Sequence, residues 1–235
     1  MLEKYEIFNI DCMEHMRAMG NNSVDTIITD IPYAEVNREN SGIEQLKNVD
    51  KGDADIITFD LNEFLKETYR IAKNNIIIFC GCGQMSYIYR FFADQSKGTA
   101  RQLIWEKTNP VPVNGKHIYL SGIENAVWYK KPGGTFNAFC KNTVFRHPIQ
   151  SEQIHPTEKS HSLLAEIIED NTNIGDTIFD PCMGSGSTGY VAIGLGRKFI
   201  GCELNTEFYN IAKARFEGVP YSKEELSKEI KTDLW

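Results

Sequence analysis

Thr26-Ile27-Ile28-Thr29-Asp30-Ile31-Pro32-Tyr33 is the stretch from which the rest of this 235-residue chain can be organised. From Val24 to Thr29 it is mostly β-branched and apolar, the composition of a buried strand. The strand then stops on the tetrapeptide Asp30 to Tyr33. A carboxylate, a carbonyl made rigid by the proline after it, and an aromatic ring therefore leave the carboxyl end of one strand, where open α/β sheets bind ligands.

Those residue types suit a flat, amine-bearing ring. The lone pair of an exocyclic amine is delocalised into its ring, so two acceptors on its N–H groups favour the pyramidal, attacking form. The Asp30 side chain and the Ile31 carbonyl can supply them, with Tyr33 stacking on the ring. A base reaching such a site must leave its duplex, and an aromatic platform offsets part of the lost stacking. A plain Pro-Tyr turn is the alternative for the tetrapeptide alone.

Length favours one domain with a large core, with room for a small lobe. None of the six cysteines stands at C-x-x-C spacing, so no zinc site is expected. The absence of an apolar leader or membrane-length run predicts a chain of the reducing cytoplasm with no membrane partner. Net charge is -7, yet from Lys97 to Arg146 eight basic residues stand against two acidic ones, giving +6 there and -13 elsewhere. That segregation suits one face offered to a polyanion, or else a solvated basic surface.

In chain order, Ile7 to Ile10 reads as a strand with Asp11 after it, and Cys12 to Met19 as a helix, which could set Asp11 beside Asp30 on neighbouring strands. The polar, aperiodic 34–58 segment reads as a loop placed to cover a bound base, or as plain disorder. A helix from Leu61 to Ala72, capped by Asp60, precedes an apolar strand from Asn75 to Cys80 and a helix from Gln84 to Phe92. Strands follow at Gln102 to Trp105 and Ile123 to Lys130, and Thr135 to Gln153 reads as a basic and aromatic loop. His155-Pro156-Thr157-Glu158-Lys159-Ser160 opens a helix with N–H groups and a lysine near one point, which suits a carboxylate. The second strong stretch, Phe179-Asp180-Pro181-Cys182-Met183-Gly184-Ser185-Gly186-Ser187-Thr188-Gly189, takes a strand through a glycine-rich turn into a helix. The strand Phe199 to Cys202 ends at Glu203, where an acidic residue commonly takes ribose hydroxyls. A helix spans Asn205 to Phe216, and Ser222 with Glu225 forms a capping box for a terminal one.

Together these motifs resemble the S-adenosylmethionine-dependent DNA amino-methyltransferases, adenine-N6 or cytosine-N4. Asp30-Ile31-Pro32-Tyr33 stands for the family's Asp-Pro-Pro-Tyr motif, Phe179 to Gly186 for its cofactor loop, and His155 to Lys159 for its cofactor-tail motif; the catalytic motif comes first, the permuted order of the β group. The resemblance implies a Rossmann-like α/β fold: a seven-stranded, mostly parallel sheet with one antiparallel strand in a terminal hairpin, and helices on both faces. It implies that Asp11 lies at the cofactor adenine, Glu203 at its ribose, and Thr157 and Lys159 at its methionine carboxylate, with Cys12 also in the cofactor site. Asp180, Pro181, Gly184, Ser185, Gly186 and Thr188 would line it, and no metal is implied. The partner would be double-stranded DNA, met by a monomer or homodimer through a short recognition region, 109–153, with Lys107, Lys130, Lys131 and Arg146 as phosphate contacts. Asp30, where the cytosine enzymes tend to serine, favours adenine. Ile31 departs from the family's proline but keeps the carbonyl. Methylation of cytosine N4 or of an RNA base, and a catalytically silent DNA-binding module, are the alternatives.

Overall fold

The computed structural model describes residues 4–33, 59–111, 115–149 and 158–218. The 34–58 loop, Thr157 and the Ser222 capping box lie outside them.

Eight strands form one sheet: β1 (Tyr5–Phe8), β2 (Val24–Asp30), β3 (Ala72–Cys80), β4 (Thr99–Lys107), β5 (Ile123–Lys130), β6 (Val144–His147), β7 (Thr177–Asp180) and β8 (Lys198–Cys202). Their order is β1-β8-β7-β2-β3-β5-β4-β6, and β5 alone runs against the others. The mostly parallel sheet and its hairpin are as expected, with one strand more than anticipated. That strand, β6, pairs in parallel with β4 inside the stretch read as a loop. It is four residues long and buries only Phe145, too little for an alternating pattern to show. Asp11 and Asp30 are not on neighbouring strands either, because β8 and β7 lie between β1 and β2.

Helices α1 (Cys12–Ala18), α2 (Leu61–Ile71) and α3 (Cys82–Ala93) cover one face, and α4 (His161–Asn171), α5 (Ser187–Gly194) and α6 (Thr206–Glu217) the other. Ile27 and Ile28 of β2 and Ile76 to Ile78 of β3 are fully buried, as a strand covered on both faces requires. Each such side chain contributes roughly 1.5–3 kcal/mol of burial free energy. Asp60 caps α2 by accepting from the Glu63 N–H at 2.9 Å, a contact typically worth about 1 kcal/mol.

In sheet order β7 leads outward one way, through α5 to β8, and β2 the other way, through α2 to β3. The crevice above the β7–β2 pair is therefore the topological switch point, where doubly wound sheets place their ligands. Asp180 ends one strand of that pair and Asp30 the other.

Candidate active site

A cavity of about 360 Å³ opens over the switch point. Its lining includes Asp30 and Pro32 from the end of β2, Asp11 and Cys12 at the start of α1, and Asp180 and Pro181 at the end of β7. Gly184, Ser185 and Thr188 contribute the glycine turn, and Glu203 the end of β8. Chain folding thus gathers most of the cofactor residues read from the sequence into one space. Phe59, Leu204 and Phe208 add an apolar rim that sequence reasoning missed, since no motif marks them.

The glycine turn explains its own composition. Gly184 has φ +53 and nothing within 4 Å of where a Cβ would stand, so its open side faces space that a ligand can use. Gly186, at φ +81, serves the fold instead: a Cβ there would meet Phe216 at 2.8 Å, and the residue is absent from the cavity lining. Glu203 braces the turn by accepting from the N–H groups of Gly184 at 2.9 Å and Asn205 at 2.7 Å. Burial raises the Glu203 carboxyl pKa, and these donors hold part of that rise back. Asp11 accepts from the Met13 and Glu14 N–H groups at 2.9 and 3.1 Å, so the side chain that reaches the cavity also caps α1.

At the other end, Asp30 sits in a charged cluster. Lys159, whose side chain is 6% exposed, donates to Asp30 Oδ2, to Glu124 Oε2 at 3.0 Å, and to the Tyr33 hydroxyl at 3.4 Å. Glu124 Oε1 also pairs with Lys107 at 2.8 Å. Burial raises the Asp30 pKa, and Lys159 only partly offsets it. Burial acts the same way on Glu124, but its two lysines outweigh it and bring the carboxyl down to about 2. The other Asp30 oxygen, Oδ1, is buried and has no hydrogen-bond partner among the described residues. A buried carboxylate oxygen left unpaired is costly and points to a missing donor. The motif is held from behind: Gln84 Nε2 donates to the Pro32 carbonyl at 2.9 Å, and Gly81, whose N–H bonds Gln84 Oε1, lies against Tyr33. The Ile31 N–H donates to Phe79 at 3.2 Å, so the family's usual proline would forfeit a sheet bond here.

Several of the basic residues read from the sequence find partners within the protein. Lys159 lines the same cavity as Asp11, Asp180 and Glu203, and its ammonium is held there between two part-buried carboxylates of the protein itself. Lys107 turns inward to Glu124 and is only 14% exposed at its side chain, so it is no open phosphate contact. Lys130 and Lys131 lie at the far end of the sheet: antiparallel β5 carries its last residue to Asn75, near the start of β3. The Lys131 ammonium is occupied there by the Ala72 carbonyl at 2.5 Å and the Tyr69 ring. Arg146 alone of the four stays exposed at the site end, paired with Glu106 at 2.9 Å. Sequence reasoning also missed Arg215 of α6, which pairs with the buried Glu158 at 2.7 Å and reaches Ser185 Oγ at 3.4 Å, tying Glu158 to the glycine turn. No local motif marks it.

Asp180 is 2% exposed, and burial pushes its carboxyl up to about 7 despite the Cys182 N–H at 3.1 Å. The folded chain therefore keeps this proton to about pH 7, whereas the unfolded chain releases it near 3.8. Between those values the folded state binds more protons, so stability falls as pH rises through the window. Asp180→Asn should make that fall shallower in the cofactor-free protein. Thermal melts across the window check it, and an unchanged slope would assign it to other groups.

The sequence pattern of the DNA methylase family, N6/N4 class, matches residues 24–214. The chain is 30% identical to the type II methyltransferase M2.DpnII of Streptococcus pneumoniae over 91% of its own length and 90% of the relative's. It is also 30% identical to M.HinfI of Haemophilus influenzae, over 94% of this chain and 71% of that one. Among solved structures, the M1.HpyAVI-SAM complex superposes with a TM-score of 0.68 at 28% identity, covering 90% of this chain and 99% of that one. The PvuII cytosine-N4 DNA methyltransferase shares the fold, with a TM-score of 0.70 at 18% identity over 99% and 93% of the two chains. With the matched span running from β2 through the glycine turn to α6, the chain belongs to the N6/N4 DNA methylase family.

Proposed function

We propose that this DNA methyltransferase uses S-adenosylmethionine to methylate the N6 amine of an adenine swung out of double-stranded DNA. The observation that carries the reading is the unpaired, buried Asp30 Oδ1 at the end of a switch-point cavity. The residues present fit the cofactor. The open side of Gly184 admits close approach, while Asp11, Glu203 and Asp180 offer acceptors to a ligand that carries hydroxyls, amines and positive charge. With the Lys159 ammonium held between two of the protein's own carboxylates, Thr157 is the residue we retain for the cofactor's carboxylate.

Bound S-adenosylmethionine supplies the methyl group already activated as a sulfonium. Asp30 Oδ1 and the Ile31 carbonyl accept the two N6–H groups and localise the nitrogen lone pair. As nitrogen gains positive charge, the Asp30 carboxylate stabilises it, an interaction that strengthens in the transition state. Burial favours protonation of Asp30, which suits it to take the proton that the methylated amine releases. Tyr33 stacks on the base. Aspartate at position 30, not the serine typical of the cytosine enzymes, supports adenine.

The test is incubation with labelled S-adenosylmethionine and unmethylated duplex DNA, followed by digestion to nucleosides. Label in N6-methyl-2′-deoxyadenosine is expected. Label in N4-methyl-2′-deoxycytidine would replace the base assignment, and no label in DNA would overturn the activity.

A further inference from the structure

The connection between β4 and β5 closes onto the site through its neck. Lys107, the last residue of β4, donates its backbone N–H to the Gly122 carbonyl at 2.8 Å and its ammonium to Glu124 Oε1 at 2.8 Å. Glu124, the second residue of β5, turns its other oxygen to Lys159 at 3.0 Å, and Lys159 reaches Asp30 Oδ2. Four charges of alternating sign thus run from the hairpin's neck to the catalytic carboxylate. Their side chains are 14%, 20%, 6% and 26% exposed, so solvent screens them little.

We propose that Glu124 is a positioning residue for methyl transfer: it holds the Lys159 ammonium to one side of Asp30, leaving Asp30 Oδ1 for the target amine. The inference rests on the DNA methyltransferase reading above. A buried ammonium gathers whatever anionic oxygens it can reach. With Glu124 present, Lys159 divides its charge between two carboxylates, and Asp30 keeps an unpaired oxygen. Without Glu124, Asp30 is the one carboxylate among the described residues left to that ammonium. Lys159 then swings across both of its oxygens, and the acceptor that the amine needs is weakened. Lys107 fixes Glu124 from the other side, so the neck of the hairpin sets the position of the whole row.

The groups that face Asp30 are Lys159 ahead of α4, Glu124 of β5, Cys80 of β3, Asp180 of β7 and Tyr33 of its own segment. Of these, Glu124 is a negative charge that raises the Asp30 pKa. Its removal should therefore move the acid limb of the rate against pH to lower pH. Glu124→Gln should lower the single-turnover rate of methyl transfer roughly tenfold to a hundredfold, short of losing a direct stabiliser, while cofactor affinity stays within about twofold. Glu124→Asp keeps the charge and should recover part of the rate. Melts identify any variant that fails to fold. A Glu124→Gln enzyme at the parent rate, or a slower one whose acid limb has not moved, would overturn the proposal, the second result marking a merely structural role. Titrating the Asp30 carboxyl by 13C NMR in the parent and in Glu124→Gln decides the matter without turnover: a lower midpoint in the variant supports the proposal and an unchanged one overturns it. Should the parent transfer no methyl group to DNA, the functional reading fails on that result, separately from the titration.

Discussion

Asp30→Ala should reduce methyl transfer by at least a hundredfold to a thousandfold, on the order of what one preorganised electrostatic stabiliser supplies. The substitution removes Oδ1, the acceptor without a partner, yet leaves the glycine turn, Glu203 and Asp11 untouched. Cofactor affinity should therefore persist, and the loss should fall on the chemical step and not on binding. Lys159 keeps Glu124 at 3.0 Å, so the variant retains a partner for its buried ammonium and should fold. Asp30→Asn gives a sharper result. Lys159 will claim the amide oxygen, which turns the amide NH2 toward the target amine and sets donor against donor. The near-isosteric asparagine should then be no better than alanine. Single-turnover rates at saturating cofactor, with melts to verify folding, check both variants. An asparagine enzyme that keeps a tenth of the parent rate would show that Lys159 does not fix the carboxylate's orientation, and an alanine enzyme at the parent rate would mean that the catalytic stretch lies elsewhere.

Much of this site was legible because its determinants are local. The β-branched run before Asp30, the Asp60 cap and the glycine turn are each written within a dozen residues, and each forms the element expected of it. What escaped depends on partners distant in sequence. Glu124 reads as an ordinary strand-end charge and Lys107 as a phosphate contact until the hairpin closes and the segment ahead of α4 brings in Lys159, 35 residues beyond Glu124. Arg215 looks like any basic residue in the last turn of a helix, and its pairing with Glu158 exists only once α6 packs beside the glycine turn. The misplacement of Lys130 and Lys131 was avoidable. A hairpin had been anticipated, and a strand running against β3 must carry its last residues to the end of the sheet away from Asp30. Strand β6 had no comparable signal: with a single buried side chain, it is defined by its bonds to β4 and by the Trp105 Nε1 donation to the His147 carbonyl at 2.9 Å.

Lys159→Met should cost the cofactor-free protein on the order of 3–5 kcal/mol, the usual penalty for removing one partner of a buried ion pair. In a domain of this size that corresponds to a fall in Tm of roughly 10 °C. Glu124 keeps Lys107 at 2.8 Å, but Asp30 loses the one cation that pairs with it among the described residues and then faces Glu124 across the vacated space. Burial and Glu124 both push the Asp30 pKa up, and without the lysine it rises further above its unfolded value of 3.8. The folded variant therefore binds more protons than the unfolded chain from pH 3.8 up to that raised value. Its stability is highest below the window and is lost as pH climbs through it, so the deficit against the parent should be smallest in acid and full at neutral pH. Glu124→Gln removes the facing charge, and the double variant should be less unstable than the two single losses predict when added. Melts of the parent, both single variants and the double variant, at acid and neutral pH, measure this coupling. The resemblance to the methyltransferase family instead gives the lysine to the cofactor's carboxylate, and that assignment predicts another pattern: unchanged melting without cofactor and a large loss of cofactor affinity. Observing that pattern would return Lys159 to the cofactor and leave Asp30 to be oriented by its own strand.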